Sequence, residues 1–187
     1  MSRIRSTFQT FGFAILTALL ATNVHAQARD FTEAERAAVG EIEDLRNGWV
    51  EAYRAQDVEA ISRFYHPDAT FAGTLQPFWL EGGDAIQDLW ARYFAAWDRV
   101  NIIFRQPTVQ FYDTAVQEEG QEPMVAVETG YLEMFMVEDD ETDDQGRTIR
   151  EGRVVITNIR YSITRVFTRE NGWQIASMNV ARLPGTE

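Results

Sequence analysis

Apolar side chains recur at steps of three and four residues between positions 33 and 65, which is the spacing of one face of a helix. They predict a first helix over about 32–55, opened by a capping box in which Thr32 and Glu35 exchange hydrogen bonds. Asp57 is expected to cap a short second helix. Pro67 is expected to end that helix, because the residue before a proline avoids helical torsions.

A third helix and a series of strands are predicted next. The helix is predicted from Asp84, as its N-cap, to about residue 98, and it is the most aromatic segment of the chain. From residue 100 the spacing of apolar residues changes to that of strands. Strands rich in β-branched and aromatic residues are predicted over 69–73, 78–81, 101–113, 124–137, 153–168 and 173–182. Helices followed by long sequential strands predict an α+β domain in which three helices cover one face of a strongly curved, mainly antiparallel sheet.

The first 26 residues have the form of a secretory signal peptide. Two arginines precede an apolar run over 11–21, and small or modest side chains stand just before a predicted cut after Ala26. A membrane anchor is the alternative, but the run is shorter than the roughly 20 residues that a spanning helix needs. We therefore predict a signal peptide over 1–26, a single domain over 27–187, and a periplasmic or secreted location.

Composition excludes several classes of function. The formal net charge is −12, and removal of the signal peptide, with its two arginines and no acidic residue, changes it to −14. So acidic a surface repels phosphates and anionic lipids, and we expect neither nucleic-acid binding nor membrane binding after signal removal. One remaining histidine, His66, and no cysteine cannot form the usual zinc site. The acidic run over 137–146 does not fit a calcium loop, and we expect no metal and no cofactor.

Three groups of motifs resemble the nuclear transport factor 2-like superfamily, and within it the SnoaL-like and ketosteroid-isomerase-like proteins. They are WVEAYRAQDVEAI with FYHPDATF, EGGDAIQDLW and RVFTRENGWQI, and together they span about residues 33–182. The resemblance implies a cystatin-like cone, with a bent sheet around the first helix, a pocket between sheet and helices, and often a homodimer through the outer face of the sheet. The superfamily holds enzymes, binding modules and assembly modules, so the fold does not identify a function.

The resemblance to the isomerases does not extend to their catalytic residues. Their tyrosine donor corresponds to Trp49, their carboxylate base to a position at or near Gly73, and their late acid to a position near Ser162 and Thr164. An indole cannot exchange a proton, and neither of the other positions carries an acid. We therefore expect no steroid-isomerase activity.

Two acids in one predicted strand are the low-ranked catalytic candidates. Glu128 and Glu133 are separated by an odd number of residues and so lie on opposite faces. One of them is expected to point into the cone, where burial would raise its pKa and make it a usable acid or base. The alternative is a cross-strand pair with Arg160 or Arg165. An acid/base lyase, isomerase or hydrolase that uses either glutamate with Arg160 or Tyr53 is thus one alternative function.

The main interpretation is an exported domain that binds a small, largely apolar molecule in an aromatic pocket, with no enzyme activity assigned. Trp49 and Tyr53 of the first helix and Trp90 of the third are expected to line this pocket, with Phe71 and Met178 from the sheet. A dimeric assembly module is a further alternative. In that case the centre of the cone would be filled by its own rings.

Overall fold

The computed structural model describes residues 30–73, 76–112 and 125–183, and for 76–78 the backbone alone. These residues form the helices α1 (Glu33–Arg54), α2 (Val58–Ser62) and α3 (Gly83–Ala95), and the strands β1 (Tyr65–Gly73), β2 (Gln76–Glu81), β3 (Arg99–Tyr112), β4 (Val125–Glu138), β5 (Glu141–Thr142), β6 (Thr148–Arg150), β7 (Arg153–Thr168) and β8 (Gly172–Arg182). The predicted signal peptide and its cut after Ala26 lie outside the described residues and stay predictions. None of the described helices is long and apolar enough to cross a membrane.

Two of the three predicted helix caps are confirmed. The hydroxyl of Thr32 accepts the backbone N–H of Glu35 at 3.2 Å, and the Glu35 carboxylate accepts the backbone N–H of Thr32 at 2.8 Å. The Asp57 carboxylate accepts a backbone N–H of α2 at 2.9 Å. The prediction that Asp84 caps α3 was wrong, because Gly82 is the N-cap and Asp84 lies in the first turn. Gly82 has a φ of 87°, which a glycine adopts without the strain that a side chain would cause.

The first strand begins earlier than the sequence pattern indicates. Because α2 ends at Ser62 and β1 begins at Tyr65, Pro67 lies inside a strand and does not end the helix. The pairing between β1 and β8 is irregular from Tyr65 to Thr70. A proline is tolerated in this stretch because its missing N–H interrupts no regular ladder.

Within the described residues, the main sheet has the order β2-β1-β8-β7-β4-β3, and β5 and β6 form a separate hairpin. The predicted antiparallel meander is confirmed, since β3, β4, β7 and β8 pair antiparallel in sequence. β1 joins the sheet in parallel to β8, so the sheet is mixed. Buried residues alternate with less buried ones along much of β4 and β7, and the buried side packs with the apolar faces of α1, α2 and α3. The α+β prediction with a curved sheet and a few helices is therefore correct.

Candidate functional site

The five residues predicted to line a pocket lie together in one buried core. Trp49 stacks on Tyr53 with ring centroids 5.4 Å apart, and Trp90 contacts both rings edge-on at 5.6 and 5.9 Å. Phe71 packs against Trp90 at 6.0 Å, and Met178 belongs to the same cluster. None of the five is more than 2% exposed. These side chains fill the centre against one another, and their contact with a ligand stays a prediction.

The aromatic core also contains polar atoms with few partners. The Tyr65 hydroxyl donates to the sulfur of Met178 at 3.4 Å. Burial raises the pKa of Tyr65, and the indole N–H groups of Trp49 and Trp90 oppose that rise. Neither indole N–H makes a hydrogen bond with a described residue. The core is therefore stabilised mainly by ring packing, and its two indole N–H groups interact with the Tyr65 oxygen without full hydrogen-bond geometry.

A second buried group of side chains, which we call the Glu128 cluster, consists of Arg46, Glu128, Tyr161 and Arg165. Glu128 lies on the inner face of β4 and has no exposed surface. Its Oε2 accepts hydrogen bonds from Nε and Nη2 of Arg165 at 3.2 and 3.0 Å. Its Oε1 accepts from the Tyr161 hydroxyl and from Nη1 of Arg46, each at 3.0 Å. One carboxylate is thus shared by two guanidinium groups and a phenol.

The register of the sheet explains how β7 contributes to this cluster. Glu128 is paired with Ile163. Tyr161 and Arg165 lie two residues to either side of Ile163 and share its buried face, so both reach Glu128 diagonally. Gly130 is paired with Tyr161, and a Cβ at Gly130 would lie 2.9 Å from the Tyr161 hydroxyl oxygen. The missing side chain at Gly130 is what allows the phenol to extend across β4.

Arg46 reaches the Glu128 cluster from α1. It follows the buried Ile42 by four residues and precedes the buried Trp49 by three, so it lies in the inward-facing stripe of the helix. Its side chain is 11% exposed, and its guanidinium carbon lies 5.9 Å from the centroid of the Phe104 ring. Sequence reasoning missed Arg46 and Tyr161. A charged residue in phase with the apolar stripe of α1 was the available signal for Arg46.

The Glu128 cluster contains two cations and one buried anion. Next to it, the exposed carboxylate of Glu43 lies 3.7 Å from Nη2 of Arg46. Burial, followed by the charge of Glu128 and the hydrogen bond to it, raises the pKa of Tyr161. The phenol therefore stays protonated and acts as a donor, so Glu128 is the only anion in the cluster.

Arg46 also lines an open cleft of about 450 Å³ between α1 and β3. The Phe104 ring connects this cleft to both buried groups, because it contacts Trp49 at 6.0 Å and Tyr161 at 5.1 Å between ring centroids. The lining combines charged and polar side chains with an apolar surface; its members are Arg46, Asn47, Val50, Glu51, Arg54, Ile102, Ile103, Phe104 and Pro107. Another cleft, of about 480 Å³ beside α2, contains no member of the Glu128 cluster, and we consider it less suited to a specific site.

The other two candidate residues lie elsewhere. Glu133 lies on the face of β4 opposite to Glu128, as the odd separation predicts, and its Oε2 accepts from Arg105 at 2.8 Å. Arg160 is exposed on β7, where it is paired with Tyr131. The structure therefore brings Glu128 together with Arg165, and it places Glu133 and Arg160 outside the buried cluster.

The curved mixed sheet with helices on its inner face defines an α+β domain of the cystatin-like, nuclear transport factor 2-like class. The profile of the SnoaL-like domain matches residues 42–180, and the chain belongs to this family. No curated protein matches the sequence.

Solved structures support the fold. A structure from Novosphingobium aromaticivorans that is named as a scytalone dehydratase has a TM-score of 0.63 and 13% identity, over 82% of this chain and 89% of that chain. One from Streptomyces avermitilis, named as a dehydratase of the nuclear transport factor 2-like family, has a TM-score of 0.62 and 15% identity, over 80% and 99%. One named as an aromatic ring hydroxylase, again from Novosphingobium aromaticivorans, has a TM-score of 0.60 and 18% identity, over 82% and 92%. Identities this low show the fold alone.

Proposed function

We propose that this protein is an exported domain that binds a small, largely apolar molecule in the cleft between α1 and β3. The observation that carries the proposal is the position of Phe104, whose ring lines the cleft and also contacts Trp49 and Tyr161. A ligand packed on Phe104 would therefore be separated from the aromatic core and from the Glu128 cluster by this one ring. Export rests on the sequence of residues 1–26 alone.

The size and lining of the cleft support this assignment. Its volume of about 450 Å³ lies within the range of roughly 300–1,000 Å³ that is usual for small-molecule sites. The lining offers apolar contact from Val50, Ile103 and Phe104 beside charged and polar side chains, and small-molecule sites combine both kinds of group. Fold neighbours named as dehydratases and a hydroxylase are proteins whose names imply small substrates, which agrees with the proposal.

The proposal can be tested with Nile red, an uncharged apolar dye whose fluorescence increases on burial. We expect saturable binding that Phe104→Ser weakens by about 10-fold or more, because a buried phenyl ring contributes roughly 1.5–3 kcal/mol. Phe167→Ser is the matched control, since Phe167 is also a half-buried strand residue but packs on Trp173, away from the cleft. Equal affinities of the wild type and Phe104→Ser for Nile red would overturn the assignment of the binding site to this cleft.

An acid/base enzyme is a second candidate, favoured by the burial of Glu128 within hydrogen-bond distance of Tyr161. The four hydrogen bonds that Glu128 accepts occupy its lone pairs, which leaves none directed at a substrate proton. Tyr53, the other candidate, shares a hydrogen bond of 2.7 Å with Tyr93, and burial raises its pKa far above the physiological range. We therefore assign Glu128 a structural role, in which its carboxylate positions Arg46 and Arg165.

A dimeric assembly module is a third candidate, which the packed aromatic core favours. The outer faces of β4 and β7 expose the large apolar side chains of Tyr131, Val154 and Ile156. Exposed apolar surface of this kind often belongs to an interface. Sedimentation analysis decides this point, because a monomer at micromolar concentration would remove the support for an assembly role.

A further inference from the structure

We infer that the cleft between α1 and β3 selects small organic carboxylates, and that Arg46 binds the carboxylate group. This inference rests on the proposed function, because it names the chemical class of the ligand in the same cleft. It goes beyond that function in predicting a charge preference that an apolar site alone would not have.

The two guanidinium groups of the Glu128 cluster differ in their access to the cleft. Arg165 is 2% exposed and donates two hydrogen bonds to Glu128, so its charge is matched within the protein. Arg46 shares the same carboxylate but also reaches the cleft. Arg46 is therefore the guanidinium of the cluster that a ligand in the cleft can reach, and its other acidic neighbour, Glu43, is exposed and lies 3.7 Å from Nη2.

Arg46 has N–H donors that no described residue accepts. A guanidinium carries five N–H groups in a planar fork, and among the described residues one hydrogen bond of Arg46 is found, from Nη1 to Glu128. The nearest other acid, Glu43, lies 3.7 Å from Nη2, which is longer than a hydrogen bond, and its side chain is 60% exposed. The fork can therefore take a carboxylate with two parallel N–H bonds.

An aromatic ring and two further charged side chains surround the guanidinium of Arg46 in the cleft. The guanidinium of Arg46 lies against the Phe104 ring, so an apolar ligand body on Phe104 would place its acid group beside Arg46. The other charged groups of the lining are Arg54 and Glu51, and both are exposed. Arg54 donates to the side chain of Asn101 at 2.6 Å. Two of the three charged side chains that line the cleft are therefore cations, which favours an anionic ligand group beside them.

Matched pairs of probes test the inference by titration calorimetry at neutral pH. The pairs are octanoate with octanamide, and cinnamate with cinnamamide, which differ in charge but hardly in shape. We expect each acid to bind the wild-type protein about 10-fold or more tightly than its amide, since a bidentate ion pair is among the stronger polar contacts. In Arg46→Gln the two members of a pair should bind within about 2-fold of each other, and the amides should keep their affinity.

Two further variants separate recognition from folding. Arg46→Lys retains the charge without the fork and should keep part of the preference for acids. Arg36→Gln is the control, because Arg36 is an exposed arginine of α1 that bonds to the carbonyl of Phe31 at 2.7 Å and does not line the cleft. It should bind all four probes as the wild type does.

The outcomes distinguish this inference from the proposed function. Equal binding of acids and amides by the wild type would overturn the carboxylate preference and leave a binding cleft. A protein that binds Nile red but none of the four probes would also overturn the carboxylate preference and leave a binding cleft. A preference for acids that survives in Arg46→Gln would overturn the role of Arg46. A protein that binds neither Nile red nor the probes would remove the proposed function, and the inference with it.

Discussion

Glu128 and Glu133 are two identical residues on one strand, five positions apart, with opposite surroundings. Glu128 is fully buried and accepts hydrogen bonds from three side chains of α1 and β7. Glu133 is 34% exposed and is bound by one arginine, Arg105 of β3. The alternation of a strand places the two residues on opposite faces, and Glu128 is the one on the face that packs with the helices. How much a glutamate of β4 contributes to the free energy of unfolding therefore depends on the face of the strand that it occupies, since the residue type is the same.

The two environments differ in how they treat a charge. A buried ion loses its hydration, so the loss of its partners leaves an unpaired charge in a medium of low dielectric constant. An exposed ion is hydrated and screened, and its pairing changes the free energy of unfolding little. The contrast between the two faces of β4 can therefore be measured with matched substitutions.

The largest expected effect is that of Glu128→Gln. It leaves the buried Arg165 without its anion and Arg46 with the exposed Glu43 alone, and we expect the free energy of unfolding to fall by about 3–5 kcal/mol. Glu133→Gln, the same change on the opposite face, should lower it by about 0–1 kcal/mol. Urea unfolding followed by circular dichroism measures both. Similar losses for the two variants would contradict the distinction between the faces.

A smaller effect is expected from the phenol of the cluster. Tyr161→Phe removes one hydrogen bond to a charged acceptor, and we expect a loss of about 1.5–3 kcal/mol in the free energy of unfolding. Tyr131→Phe is the matched control, because Tyr131 lies on the outer face of β4 and is 42% exposed. Its substitution should change stability by no more than about 0.5 kcal/mol. A neutral Tyr161→Phe would show that Arg46 and Arg165 satisfy Glu128 without the phenol.

Much of the fold could be predicted because its signals are local. The capping box of Thr32 and Glu35, the cap at Asp57 and the alternation of the long strands each depend on residues a few positions apart. The opposite facing of Glu128 and Glu133 follows from the same alternation. The cap of α3 and the place of Pro67 were missed because Gly82 supplies a positive φ and the β1–β8 pairing is irregular, and neither is visible in a local pattern.

The Glu128 cluster could be predicted only in part because it joins distant segments. Arg46 and Glu128 are 82 residues apart in the chain, and their contact depends on how α1 lies against β4. Arg160 and Arg165 lie on opposite faces of β7, so only one of them can reach Glu128. The sequence does not show which face of β7 is turned inward, and the choice between the two arginines therefore stayed open. The close packing of the five predicted pocket residues depends on ring orientations that a sequence does not give.

The smallest expected effect is that of the pair between Arg105 and Glu133. A double-mutant cycle with Arg105→Gln and Glu133→Gln should give a coupling of about 0.2–1 kcal/mol at low salt, because both side chains are partly solvated. The coupling should vanish near 1 M salt, where the screening length is about 3 Å. The same cycle on Arg165 and Glu128 is the control, and its coupling should be larger and nearly independent of salt, because solvent does not reach either side chain. If the outer pair proved as strong and as insensitive to salt as the inner pair, the solvation argument for the two faces of β4 would be wrong.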